Sequence, residues 1–267
     1  MSEITSLQNL RVKAAVRLRN GRHRQRERRI LIDGTRELAR AMGAGVHVLE
    51  AFVSQPLCTD VARGLLDRLA ESGAAVLHVS KPVFEKLAFG SRTEGIVAVA
   101  ATPDADLSKL KLPGNPLVAV LEGIEKPGNV GAVIRSADAA GLHAVIVADP
   151  RTDLHNPNAI RASLGTIFTM PVAEASAAET LAWLRRLEFS ICAARVDGSR
   201  LYTEADFRPP TAIVLGSEAE GLGALWHGDD VTPIRIPMLG AADSLNVSAT
   251  AATLFYEALR QRSGRGP

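Results

Sequence analysis

The sequence predicts an α/β protein with a small N-terminal α/β domain and a larger C-terminal α/β domain built on a mainly parallel sheet. Three observations carry this. Apolar segments of strand length alternate with helically spaced stretches along most of the 267 residues. A stretch holding Pro103, Pro113, Gly114 and Pro116 interrupts the alternation. The apolar segments beyond it are near-continuous, as in strands covered on both faces.

In chain order, residues 30–34 read as a short strand ending in a turn, and 35–42 as a helix with Thr35 as its cap. Residues 46–53 form a strand, and 60–72 a helix with an apolar stripe at Val61, Leu65, Leu66 and Leu69. Strands at 74–79 and 95–101 flank a short helix at 83–87. The domain boundaries are then 1–105 for the first domain, 106–116 for a linker and 117–267 for the second. Beyond the linker, strands at 117–121 and 144–148 bracket a helix from about 130 to 140. Further strands follow at 169–172, 190–194, 211–215 and 233–236, with helices at 177–188 and 247–262. No internal repeat is present.

Composition narrows the class. Apolar residues make up 46% and charged ones 22%, enough for a sizeable core and against wholesale disorder. No apolar run approaches the ~18 residues of a membrane span, so no membrane partner is expected. Residues 1–10 lack a signal layout, which points to the cytoplasm. Cys58 and Cys192 are the two cysteines, too few for a disulfide framework or a cysteine cage, and the six histidines show no ligand spacing, so no metal is expected. Aromatic residues are 4%, which argues against a base-stacking platform.

Charge is unevenly spread. Residues 1–29 carry nine basic side chains, Arg22 and Arg24 among them, against Glu3 and Glu27. Such a run attracts phosphate backbones through counterion release, although a solvated helix face has the same composition.

Three loops at expected strand ends carry the chemistry. The first is Glu122-Gly123-Ile124-Glu125-Lys126-Pro127-Gly128-Asn129-Val130-Gly131, leading to Arg135. It has neither the G-x-G-x-x-G spacing of a dinucleotide site nor the Gly-Lys-Ser/Thr of a P-loop. Gly131 stands four residues before Arg135, which suggests a side-chain-free patch beside the guanidinium. The second loop is Gly216-Ser217-Glu218-Ala219-Glu220-Gly221-Leu222, where Glu218 caps a helix or fixes a neighbouring loop. The third runs from Ile236-Pro237-Met238 through Ser244-Leu245-Asn246-Val247-Ser248, with Ser244 or Asn246 capping the helix that follows.

Together and in this order, the three segments resemble the signature motifs of the SpoU family of RNA ribose 2′-O-methyltransferases, within the SPOUT superfamily. The likeness covers about residues 117–262, and the basic segment with residues 30–38 is similar to the family's N-terminal substrate-binding domain. Ala219 and Gly223 depart from it, standing where many members have glycine and serine.

The resemblance implies a trefoil-knotted C-terminal domain, a homodimer formed through it, and S-adenosylmethionine as cofactor. By position, Ala194, Leu215, Gly216, Ile236 and Leu245 would hold the donor. Arg135, Asn129, Glu218, Ser244 and Asn246 match catalytic or structural polar positions, and Arg161 matches an RNA-contacting arginine. Arg135 is either a base or a phosphate-orienting group, and the residues alone do not separate the two. RNA is the implied partner, ribosomal RNA favoured over transfer RNA. A non-catalytic RNA-binding protein is the competing reading, with a nicotinamide oxidoreductase further behind.

Overall fold

The computed structural model describes residues 3–89 and 94–264. These residues form two compact units. One takes its residues from Met1–Pro103 and His155–Thr169, the other from Asp104–Leu154 and Met170–Pro267.

The first unit opens with two helices in the basic segment, α1 (Leu10–Arg17) and α2 (Gly21–Glu27), capped by Asn9 and Asn20. Strand β1 (Arg29–Asp33) leads to α3 (Thr35–Gly43), then come β2 (Val48–Val53), α4 (Asp60–Glu71), β3 (Ala75–His78), α5 (Lys81–Leu87) and β4 (Ile96–Ala101). The sheet order is β1-β4-β2-β3, with β4 antiparallel to both neighbours and β2 parallel to β3. Leu18, Leu31, Phe52, Phe84 and Val97 lie in its core. Two expectations are corrected here. Thr35 is not the cap of α3: Gly34 holds that place, while the Thr35 N–H and hydroxyl donate to Glu94 at 2.7 Å each. Val61 is 65% exposed, so Ala62, Leu65 and Leu69 make the buried stripe of α4 instead.

The second unit contains β5 (Leu117–Glu122), α6 (Pro127–Ala139) and β6 (Ala144–Ala148). The chain then contributes α7 (Pro157–Ala162) to the first unit, where it packs on β1. It resumes as β7 (Val172–Ala175), α8 (Ala177–Arg186), β8 (Ser190–Ala194), β9 (Arg200–Leu201), β10 (Thr211–Leu215), β11 (Val231–Arg235) and α9 (Val247–Arg262). All seven strands pair in parallel, in the order β7-β6-β5-β10-β8-β11-β9. Helix α6 packs along α9, and α8 lies with Trp183 and Leu184 in the core. Among the described residues, no helix is long and apolar enough to cross a membrane.

Residues 155–169 therefore group differently from the sequence-based boundaries. Pro157, Ala159, Ile160 and Ile167 are buried, and Gly165, at φ +82°, approaches α3 so closely that a Cβ would lie 2.9 Å from the Glu37 Cα. The stretch read as a linker is also no loose tether. Asp106 bridges to Glu174 of β7, and Leu107, Leu110 and Leu112 pack on the second unit's core.

Candidate active site

Parallel strands deliver all their carboxyl ends to one edge of the sheet, where ligands of open α/β sheets bind. Four neighbouring strands, β5, β10, β8 and β11, send their following loops to that edge. The first loop is shorter than the sequence suggested, because α6 starts at Pro127 and not near 130. Proline lacks the N–H that a first helical residue leaves unpaired, so it suits that position. Asn129 consequently rides on the first turn of a helix. Gly131 is buried, so it serves the packing of α6 and leaves no open patch beside Arg135.

The second loop folds back on itself. Ser217 and Gly221 exchange backbone hydrogen bonds of 3.1 Å each, with Gly221 at φ +70°. A Cβ on Gly216 would sit 2.3 Å from the Gly221 carbonyl carbon, so this turn tolerates only glycine there. In the third loop, Asn246 and not Ser244 caps α9. Its Oδ1 accepts from the Ser248 N–H at 2.9 Å and the Ser248 hydroxyl at 2.6 Å.

Glu218 joins the three loops. Its carboxylate accepts from Lys126 Nζ at 2.7 Å and Asn129 Nδ2 at 3.0 Å in the first, and from Asn246 Nδ2 in the third. The Lys126 ammonium, seconded by Asn129, holds the Glu218 carboxyl below the usual carboxylate range. Glu122, at the end of β5, adds a further tie by accepting from the Gly223 N–H at 2.6 Å and Trp226 Nε1 at 2.8 Å.

Two cavities flank this junction. The larger, about 470 Å³, is lined by Leu215, Ile234, Ile236, Leu245, Val247 and Leu254, with Arg195 and Asp197 also facing it. Its volume falls in the range of small-molecule sites, and its apolar walls with a few polar groups suit an adenine and a charged tail. Arg195 donates to Asp197 through Nε at 2.9 Å and Nη2 at 2.6 Å. The smaller cavity, about 180 Å³, lies between the first two loops, lined by Ile124, Lys126 and Asn129 on one side and Ser217, Glu218 and Ala219 on the other. Those last three residues also line the larger cavity, so the turn is a shared wall.

The five residues expected to hold a donor, Ala194, Leu215, Gly216, Ile236 and Leu245, all line the larger cavity, as does Ser244. Asn129, Glu218 and Asn246 meet in one hydrogen-bonded cluster. Arg135 is exposed on α6, lines neither cavity, and among the described residues has no hydrogen bond or ion pair. Arg161 lies with the first unit, where it donates to the Phe89 carbonyl at 3.2 Å. Arg22 is exposed on α2. Arg24 corrects the expectation of a phosphate contact: it is 3% exposed and donates to the Leu18 carbonyl at 2.6 Å, which commits its guanidinium to holding α1 and α2 together. Burial pushes the Cys192 thiol up to about 11, which favours the neutral form. Among the described residues, no group of three or more His, Cys, Asp or Glu side chains is placed to hold a metal ion. Sequence reasoning missed Lys126, Arg195 and Glu122 as site residues. Glu122 and Lys126 were visible as charges inside the first loop, whereas nothing in the local pattern marks Arg195.

The model of the SpoU rRNA methylase family matches residues 116–256, and that of the MRM3-like substrate-binding domain matches residues 9–98. The 23S rRNA (guanosine-2′-O-)-methyltransferase RlmB of Bordetella pertussis is 32% identical over 85% of this chain and 95% of its own. The chain belongs to the SpoU rRNA methylase family. A 23S rRNA uridine 2′-O-methyltransferase from Streptomyces viridochromogenes is 36% identical over 64% of this chain, a match that spans 62% of that relative. Among solved structures, an RNA 2′-O ribose methyltransferase superposes with a TM-score of 0.87 at 42% identity, covering 98% of this chain and 100% of the other. An AdoMet-bound rRNA methyltransferase from Sinorhizobium meliloti gives a TM-score of 0.88 at 26% identity, covering 97% of each chain.

Proposed function

We propose that this SpoU-family chain methylates a ribose 2′-hydroxyl in ribosomal RNA, using S-adenosylmethionine. The observation that carries the reading is the shared wall Ser217–Glu218–Ala219, which sets a donor-sized cavity against a second cavity bearing Asn129. When bound, S-adenosylmethionine supplies a sulfonium-activated methyl. The chain's own work is alignment: it must hold the acceptor oxygen in line with that methyl and let the hydroxyl proton leave. Gly216 brings the backbone close to the donor, while Leu215, Ile236 and Leu245 exclude water around it, with Ala194 and Ser244 at its edges. Glu218, Asn129 and Asn246 keep the wall in place. Arg135, a permanent cation with a planar fork, grips a phosphate next to the target ribose and stabilises negative charge developing on the oxygen.

The first unit, with the exposed basic residues of α1 and α2, provides sequence-independent grip on RNA, and Arg161 adds to it. A homodimer through the C-terminal domain, a trefoil knot within it and a cytoplasmic location complete the proposal, supported by the family resemblance. The test is to incubate the protein with S-adenosylmethionine and unmodified 23S rRNA transcript, then map ribose 2′-O-methylation. Methyl transfer to transfer RNA alone would move the target. Donor binding with no transfer to either RNA would favour a non-catalytic RNA-binding role.

A further inference from the structure

We infer that Arg151, on the loop after β6, is a positioning residue that couples acceptor binding to donor binding; this rests on the function proposed above. Its guanidinium bridges two loops. Nη1 donates to Glu125 Oε1 at 3.0 Å, and Nη2 donates to Glu220 Oε2. Glu125 lines the smaller, acceptor-side cavity, and Glu220 lines the larger one. A single side chain thus ties the walls of both sites, although it lines neither itself.

The loop that carries Arg151 and the turn that carries Glu220 are both anchored through their backbones. Just before Arg151, Asp149 donates its N–H to the Ala175 carbonyl at 2.9 Å and accepts from the Ala177 N–H at 3.1 Å, so the base of the loop is fixed to β7 and α8. Glu220 belongs to the closed turn, and its N–H donates to the Ser217 hydroxyl at 3.0 Å. The Glu220 backbone is thereby linked to Ser217, the first residue of the shared wall. On the acceptor side, Glu125 adjoins Lys126, which holds the other carboxylate of the same turn. Arg151 is 43% exposed on its side chain, and the two glutamates are more open still. Such pairs are weak singly and are reached by solvent and by an incoming polyanion. They suit a joint that is adjusted on binding better than one that holds the fold.

Linkage requires that any such coupling be reciprocal. The experiment measures the affinity of the full-length protein for S-adenosylhomocysteine, a non-reactive donor analogue, with and without saturating unmodified 23S rRNA transcript. The wild type should bind the analogue at least about fivefold more tightly when RNA is present. Arg151→Met should bring that ratio to one, and Arg151→Lys, which keeps the charge but not the two-pronged grip, should fall between. Glu125→Gln is the sharper variant, because Glu125 does not line the donor cavity: it should lower analogue affinity only when RNA is present. A wild-type ratio of one, or a ratio unchanged in Arg151→Met and Glu125→Gln, overturns the inference. A wild-type protein that binds neither ligand overturns the proposed function and this inference with it.

Discussion

Arg135 does not line the donor cavity and has no partner to lose among the described residues, so its replacement should disturb chemistry without disturbing the donor site. Arg135→Ala is expected to keep S-adenosylmethionine affinity and lose methyl transfer by ~100-fold or more, as when a transition-state charge contact is removed. Arg135→Lys should also be severely impaired, because an ammonium lacks the planar fork. Single-turnover assays at saturating RNA, set beside calorimetry of the donor, separate the two effects. Glu218 gives a pH test. Its folded-state pKa lies below the ordinary 4.5, so the ionised clamp contributes stability that is complete above that value and is lost as pH falls through the lower folded one. Glu218→Gln should flatten that acid limb of the stability profile in chemical denaturation. Much of this cluster was legible as residues, since Asn246 precedes a strong helical pattern and Glu218 stands between two glycines. Arg24 was not. A basic run records charge but not which carbonyl a folded chain brings within reach.

Helix α9 ends as informatively as it begins. At its last residue, Arg262 donates to the carbonyls of Phe207 at 2.7 Å, Asn115 at 3.0 Å, Pro116 at 3.2 Å and Pro209. These carbonyls belong to the segments that lead into β5 and β10, so one guanidinium holds the entry to two central strands. Arg262→Ala should cost roughly 1–3 kcal/mol, the penalty for leaving part-buried acceptors unpaired. Urea denaturation would read the loss, while donor affinity should hold because the cavity lies at the opposite strand ends. The bounds of α9, β8 and β10 were read correctly from sequence because each is apolar at the right period and sharply bounded. Strand β7 was placed too early, since Glu174 breaks its apolar run at the sheet edge. Helix α7 went unseen, being six residues long, and β9 has only two.

At the scale of the molecule, exposed and buried basic residues of the N-terminal segment should behave differently. Replacing the exposed Lys13, Arg17 and Arg22 by alanine should weaken RNA binding. The slope of log affinity against log salt should fall by roughly 0.7–0.9 for each phosphate that is no longer neutralised. Donor affinity should not move. Arg24→Ala should instead lower the melting temperature. The α/β class, the parallel C-terminal sheet and the family were legible from alternation and from three motifs. The grouping of residues 155–169 was not, because their apolar side chains look alike whichever core receives them. That grouping sets an order of events during synthesis. A ribosome that has released residue 103 has not yet made the piece that covers β1 and α3. At about 5–20 residues per second, the missing piece arrives some ~3–13 s later. The N-terminal unit emerges first but closes late, its apolar faces waiting on the nascent chain for that interval.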